Sequence, residues 1–198
     1  MSRGQEVVLL RHGETEWSRA GRHTGRTDVP LTARGEEQAG ALRASLGERS
    51  FALVLTSPMR RARDTARLAG LTATADDDLR EWDYGDYEGL TTAQIREQRP
   101  GWYLWRDGCP GGEPLPAVAT RADAVIARIR AIDGDAALVA HGHILRILAA
   151  RWLGLPGADG RLLALSTATL STLGYEHDEP AVLRWNAPLL HPGDSAAG

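Results

Sequence analysis

Short apolar runs alternating with polar and helix-patterned stretches organise this chain. Glu6 to Leu10 (EVVLL) is a β-branched and leucine run that predicts a buried strand ending at Arg11. The polar, glycine-containing stretch that follows through Pro30 is too irregular for a helix. From Thr32, placed as an N-cap, apolar residues recur at helical spacing at Ala39, Leu42 and Leu46. Phe51 to Leu55 predicts a second buried strand, broken at Ser57-Pro58. Met59 to Leu68 predicts an arginine-rich helix with Ala62, Ala66 and Ala69 along one side.

Thr72 to Ala75 reads as a short strand before the acidic run Asp76 to Asp78. Thr91 and Gln94 form a capping box for a short helix toward Arg99. Residues 100–116, rich in proline and glycine around Trp102, Tyr103 and Trp105, predict an ordered excursion or lid. Val118 to Ile132 predicts an amphipathic helix, Ala136 to Ala140 a strand and Ile144 to Leu153 a helix. Thr169 to Tyr175 and Ala181 to Trp185 predict a late hairpin or sheet edge, and the tail from Pro188 a frayed loop. Strands alternating with helices imply an α/β fold with a largely parallel sheet covered on both faces. We expect a single domain over residues 1–198, with a lid-like excursion at about 76–116. Ligands of such sheets bind at the carboxyl ends of the strands. Arg11-His12-Gly13 and His141-Gly142-His143 both fall there.

Composition narrows the chemistry. A chain of 198 residues can bury a sizeable core without disulfides or metal staples. The net charge of −3 argues against nonspecific nucleic-acid binding. All 23 basic residues are arginine, which excludes Schiff-base lysines, pyridoxal enzymes and a P-loop lysine. A general arginine bias accounts for most of that total, but guanidinium is also the cation suited to bidentate grip on phosphate and carboxylate. A single cysteine, Cys109, cannot form an internal disulfide, so a reducing cytoplasm is the expected location. No apolar run suggests a signal segment or a membrane span.

His12 leaves a strand into a glycine turn, where its imidazole can be held as a nucleophile; the alternative is a surface-loop histidine. Arg60 and Arg61 begin a helix whose exposed amides would attract an anion, and helix spacing does not choose between them. Glu81 sits among Trp82 and Tyr84. It is either a surface ion-pair partner or a shielded acid of raised pKa able to donate a proton. At His141-Gly142-His143 the glycine permits close backbone approach and His141 could donate to a phosphoryl oxygen; an H-x-H metal site is the alternative. Cysteine-type phosphatase chemistry fails because the residue six beyond Cys109 is Leu115, and Asp76 to Asp78 lack the context of an aspartyl-phosphate site.

Together, R-H-G-E-T-x-W at 11–17, G-R-H-T-G-R-T-D-V-P-L-T at 21–32, S-P-M-R-R-A-R-D-T-A at 57–66, E-W-D-Y-G-D-Y-E-G at 81–89 and H-G at 141–142 resemble the histidine phosphatase superfamily. The resemblance implies a three-layer α/β/α sandwich of the phosphoglycerate mutase-like kind. It also implies His12 as nucleophile, Arg11, Arg61 and His141 as holders of the phosphoryl group, and Glu81 as proton donor and then base. Ser18, Thr24, Gly25, Tyr84 and Gly142 would line the substrate pocket. It implies a phosphatase of small phosphorylated metabolites that needs no metal or other cofactor, with phosphoglycerate mutase or sugar bisphosphatase as alternatives. Against a mutase stand Ser18, Thr92 and His143 where mutases carry asparagine, lysine and asparagine, and Asp107 beside the remaining lid cation Arg106, where it would repel a carboxylate. Bacterial broad-specificity acid phosphatases look closest. A homodimer stays open, and exposure of Trp102, Trp105 or Trp152 would hint at its interface.

Overall fold

The computed structural model describes residues 4–188. The tail expected beyond Pro188 lies outside them. Strand β1 (Val7–Arg11) leads through a one-turn helix α1 (Glu16–Arg19) and a loop into α2 (Ala33–Leu46). Strand β2 (Leu53–Thr56), helix α3 (Arg60–Leu68) and the two-residue β3 (Thr74–Ala75) follow. Two 3₁₀ turns, α4 (Thr92–Gln98) and α5 (Leu104–Asp107) make up the excursion. The chain then returns through α6 (Leu115–Arg130), β4 (Ala136–Ala140) and α7 (Gly142–Trp152) to an antiparallel pair, β5 (Leu170–Glu176) and β6 (Glu179–Ala187).

The sheet order is β3-β2-β4-β1-β5-β6, parallel from β3 to β1 and antiparallel beyond. Period-two alternation divides each central strand between two cores. Val8 and Leu10 of β1, with Ala137 and Val139 of β4, join Leu42, Ala62 and Ala66 from α2 and α3. Val7, Leu9 and Leu138 face the opposite way onto Val125, Ile129 and Leu148 from α6 and α7. The expected three-layer α/β/α arrangement is what these two clusters describe.

Two local readings change. The stretch after β1 does contain a helical turn, because Thr15 and Ser18 cap each other's backbone: Ser18 N donates to Thr15 Oγ1 and Thr15 N to Ser18 Oγ. That box uses serine where glutamate is usual, and the turn buries none of its four residues, so it leaves no apolar period to read. The three tryptophans whose exposure would have hinted at an interface are buried. Trp102, Trp105 and Trp152 are 2%, 8% and 0% exposed. Trp82, Tyr84, Ile95, Trp102 and Trp105 of the excursion pack into the same cluster as α6 and α7, so this segment is a cap built onto the sheet's carboxyl edge. Among the described residues no helix is long and apolar enough to cross a membrane.

The turn after β1 is pinned against α2 by backbone contact. A Cβ on Gly35 would lie 2.1 Å from Glu14 O, and one on Gly13 would lie 2.3 Å from Gly35 O. Gly35→Ala should therefore cost about 1–3 kcal/mol or more of stability by overpacking. Urea unfolding monitored by tryptophan fluorescence checks this, and a midpoint equal to wild type would contradict it.

Candidate active site

Parallel register creates the site. Arg11 pairs with Ala140, and His12 N–H continues the ladder to Ala140 O at 3.0 Å. His12 and His141 therefore emerge side by side from neighbouring strands, with ring centroids 5.1 Å apart. On the other side of β4, Thr56 pairs with Val139, and Ser57 N–H reaches Val139 O at 2.9 Å. Three adjacent strands thus end in Ser57, His141 and His12.

Hydrogen bonds fix both ring tautomers. His12 Nδ1–H donates to Gly13 O at 2.8 Å, which leaves the Nε2 lone pair free. His141 Nδ1 accepts from Arg61 Nε at 3.1 Å, so Nε2 carries its proton and donates to Ser57 Oγ at 2.7 Å. Burial, with the Arg61 and Arg11 charges behind it, pushes His12 down to about 3. Burial and Arg61 likewise hold His141 well below the usual histidine range. Both imidazoles are neutral at physiological pH.

Arg61, rather than Arg60, turns inward and is fully buried. It spends four of its five N–H groups on His141 Nδ1, Thr27 O, Thr24 O and Gly25 O. Arg60 stays at the surface on Asp64. The amide end of α3 is not the open anion site expected, since Arg60 N–H already donates to Asp28 Oδ1 at 2.7 Å. Arg11 donates from Nη1 to Leu165 O, while its Nε is a buried donor with no partner. An unpaired buried donor beside a free imidazole nitrogen is a place for an anion. Gly142 lies against the Arg11 guanidinium, with Arg11 Cζ 3.4 Å from where a Cβ would be.

The reading of Glu81 as an acid of raised pKa is overturned. Its carboxylate sits at the amino end of α7 and accepts from His143 N at 3.0 Å, Ile144 N at 2.9 Å and Trp82 N at 2.9 Å. Burial pushes the group up, but hydrogen bonding and charge from His143 outweigh it. The carboxyl rests well below the usual range, as an anion.

A cleft of about 360 Å³ opens above these groups, with His12, Arg11, Glu81, Ser18, Thr24, Tyr84 and Gly142 on its wall. Arg61 and His141 lie behind that wall at 0% exposure. Gly25 does not line it. Gly25 N–H is held by both oxygens of Glu88, and a Cβ there would meet Trp82 O at 2.7 Å, so this glycine is needed for close packing. Arg106 and Asp107 also lie off the cleft, paired with each other at 2.8 Å, so Asp107 repels nothing there. Sequence reasoning missed Ser57 as the partner of His141. It singled out His143 only in the H-x-H pair and as a departure from mutases, without its 2.7 Å hydrogen bond to the Tyr84 hydroxyl, and gave no role to His23, whose Nδ1–H donates to Leu90 O at 2.8 Å. The H-x-H spacing pointed at His143, but only the fold shows which way it faces.

The family described as histidine phosphatase superfamily (branch 1) matches residues 7–188. The chain belongs to this superfamily. It is similar to an acid phosphatase of Mycobacterium tuberculosis, 46% identical over 203 residues that span 99% of this chain and 98% of that protein. It is also similar to a sedoheptulose 1,7-bisphosphatase of Saccharomyces cerevisiae, 39% identical over 182 residues, 75% of this chain and 67% of that one. A solved mycobacterial glucosyl-3-phosphoglycerate phosphatase in complex with VO3 superimposes with a TM-score of 0.84 at 34% identity, covering 93% of this chain and 100% of the other. The superfamily, the phosphoglycerate mutase-like α/β fold and the phosphatase class read from the motifs are thereby borne out.

The buried neutral histidines tie stability to pH. His12, at about 3, and the lowered His23 and His141 all lie below the unfolded value near 6.5, so unfolding takes up protons between those limits. Their contribution is complete above about pH 6.5 and is lost as pH falls toward 3. Glu81 adds a loss of the same sign at the acid end. The melting temperature should fall steadily from pH 6.5 to 4, and His12→Gln should flatten that slope. A pH-independent melting temperature over this range would contradict the burial of neutral rings.

Proposed function

We propose that this protein hydrolyses small phosphomonoesters through a covalent phosphohistidine on His12. The observation that carries the reading is the free Nε2 of His12 on the cleft wall, its ring locked by Gly13 O, with His141 and the unpaired, buried Arg11 Nε packed beside it. In the first step His12 Nε2 forms a bond to phosphorus as the bond from phosphorus to the ester oxygen breaks. The departing oxygen keeps the electron pair and takes a proton. In the second step water attacks phosphorus, the N–P bond breaks, and the water's proton goes to the Glu81 carboxylate.

Charge spreads over three equatorial oxygens in such transfers, so positioned cations and N–H donors do most of the work. Arg11 supplies Nε, Gly142 supplies the first amide of α7, and Arg61 keeps one N–H in reserve behind His141. His141 can swing its Nε2–H from Ser57 to a phosphoryl oxygen, with Ser57 holding the ring in place until then. Because Glu81 rests as an anion, the first proton arrives with the substrate as its monoanion. A bound phosphate beside Glu81 then raises the carboxyl's proton affinity by like-charge repulsion. The lone Cys109, half-buried and pushed up to about 12 by burial, is a quiet thiol compatible with a reducing compartment.

Hydrolysis of p-nitrophenyl phosphate in excess EDTA tests the proposal. His12→Ala should lower kcat on the order of 10⁴-fold or more, and Glu81→Gln about 10²–10⁴-fold. Undiminished turnover by His12→Ala would end the reading, and acid-labile, base-stable label on the wild type would support it. The rate should also peak on the acid side of neutrality. His12 stays neutral down to about 3, whereas the substrate loses its proton near a second pKa of about 6. An optimum above pH 8 would refute proton delivery by the substrate.

A further inference from the structure

A short strap, residues 163–169, lies against the end of β1 on its way into β5. Its inward bonds land on the two residues that begin the active site. Leu165 O accepts from Arg11 Nη1, and Ala168 N–H divides between Arg11 O and His12 O at 3.1 Å each. Its outward bonds land on a second pair, Trp185 and Asn186 of β6. Trp185 Nε1–H donates to Ala164 O at 2.5 Å, and Ser166 N–H donates to Asn186 Oδ1 at 2.8 Å. We propose that Asn186 is a positioning residue for phosphoryl transfer, which acts through this strap to set the direction of the Arg11 guanidinium.

The backbone at both ends of this path is specialised. Leu170 pairs with Ala187 and Thr172 with Arg184, so Trp185 and Asn186 together stand opposite Ser171 alone. Such a bulge bends its strand and re-aims a side chain, often next to an active site. Asn186 takes φ +51°, in the left-handed region that asparagine tolerates better than most residues, and its N–H is held by Ser171 Oγ at 2.9 Å. At the other end Ala168, only 1% exposed, has φ +53°. Alanine is unfavourable there and stays so only where its surroundings hold it, and places of this kind cluster at functional sites. Thr169 Oγ1 closes the strap on itself by donating to Ser166 O at 2.9 Å.

What the strap controls is placement more than stability. A guanidinium is rigid and planar, so the bond from Nη1 to Leu165 O decides where the unpaired Nε–H points. His12 is held at its N–H by Ala140 O and at its carbonyl by Ala168 N–H, so the strap also sets the level of its ring. Leu165 lies on the cleft wall itself, where any shift of the strap is felt. Ser166, by contrast, is exposed. Without Asn186 its N–H turns to water at little cost in stability, and the loss is read as a displaced donor at the phosphate. A displacement of about 1 Å caused by a change far from the chemistry can cost on the order of 10²-fold in rate.

This role rests on the phosphatase reading, so it is tested once with turnover and once without. Turnover is kcat on p-nitrophenyl phosphate; binding is the Kd of vanadate, a mimic of the transferring phosphoryl group, titrated by tryptophan fluorescence. Asn186→Gly keeps the left-handed backbone and removes the Oδ1 acceptor. It should lower kcat about tenfold with KM near wild type, and weaken vanadate by a similar factor. Asn186→Asp keeps the acceptor and should hold both quantities within about threefold of wild type. Trp185→Phe, which removes only the indole donor to Ala164 O, should act in the same direction as Asn186→Gly, and it carries the test should the glycine variant not fold. A mere loss of folded enzyme would lower kcat at an unchanged vanadate Kd. That result, equal losses in Asn186→Gly and Asn186→Asp, or wild-type values in both Asn186→Gly and Trp185→Phe would overturn the positioning role. Absence of turnover by wild type would instead fault the phosphatase reading, and the vanadate titrations would still score the strap.

Discussion

Two imidazoles must stay neutral while buried beside guanidinium groups, and the parallel pairing of β1 with β4 makes that arrangement possible. Register alone sets His12 next to His141, since Arg11 lies opposite Ala140 and both chains leave the sheet at the same level. Cationic rings there would face Arg61 and Arg11 in a water-poor setting, which burial and charge both oppose. Neutral rings turn the same neighbours into an advantage. His12 is left with a lone pair toward the cleft, and His141 becomes an acceptor for Arg61 and a donor toward Ser57.

Buried Arg61 spends its hydrogen bonds on carbonyls and an imidazole, with no carboxylate bonded to it among the described residues. Thr24, Gly25 and Thr27 bring their backbone oxygens to it from the loop before α2. An acid at that place would cancel the positive field that an incoming phosphate needs. Glu81, the one acidic group on the cleft wall, is instead held by amides of α7 and lies apart from the arginine's hydrogen bonds. The same helix end therefore holds an anionic carboxylate and places its first residue, Gly142, on the cleft wall.

The cap closes one side of this centre with aromatic rings and gives the cleft its depth. Trp82 and Trp105 flank His143, and Trp102 and Tyr84 flank His23, so the polar tips of two histidines are presented from an apolar wall. Around the opening, guanidinium groups outnumber carboxylates although acids outnumber arginines in the whole chain. Elsewhere the acids are used locally: Asp76 and Asp78 take Arg128, and Glu113 takes Arg121. The run of three aspartates is thus the start of a 3₁₀ turn tied to α6.

By itself the sequence determined the succession of the main strands and helices, a sheet covered on both faces, and motifs that fall at its strand ends. Strands buried on both faces are continuous apolar runs, helices such as α2 and α4 carry their own capping residues, and the motifs fall at strand ends where parallel sheets place their sites. Only the tertiary structure decided that Gly25 and Asp107 lie off the cleft and that Glu81 rests as an anion, and it turned Arg61 inward, as the family resemblance implied where helix spacing could not choose. It alone brought Ser57 to His141 and Asn186 to the strap beside Arg11. Each of those outcomes depends on a partner far away in the chain: Thr27 for Arg61, Glu88 for Gly25, the amides of His143 and Ile144 for Glu81. Local spacing records helical and strand periods, and it holds no information about which distant backbone group a side chain will meet.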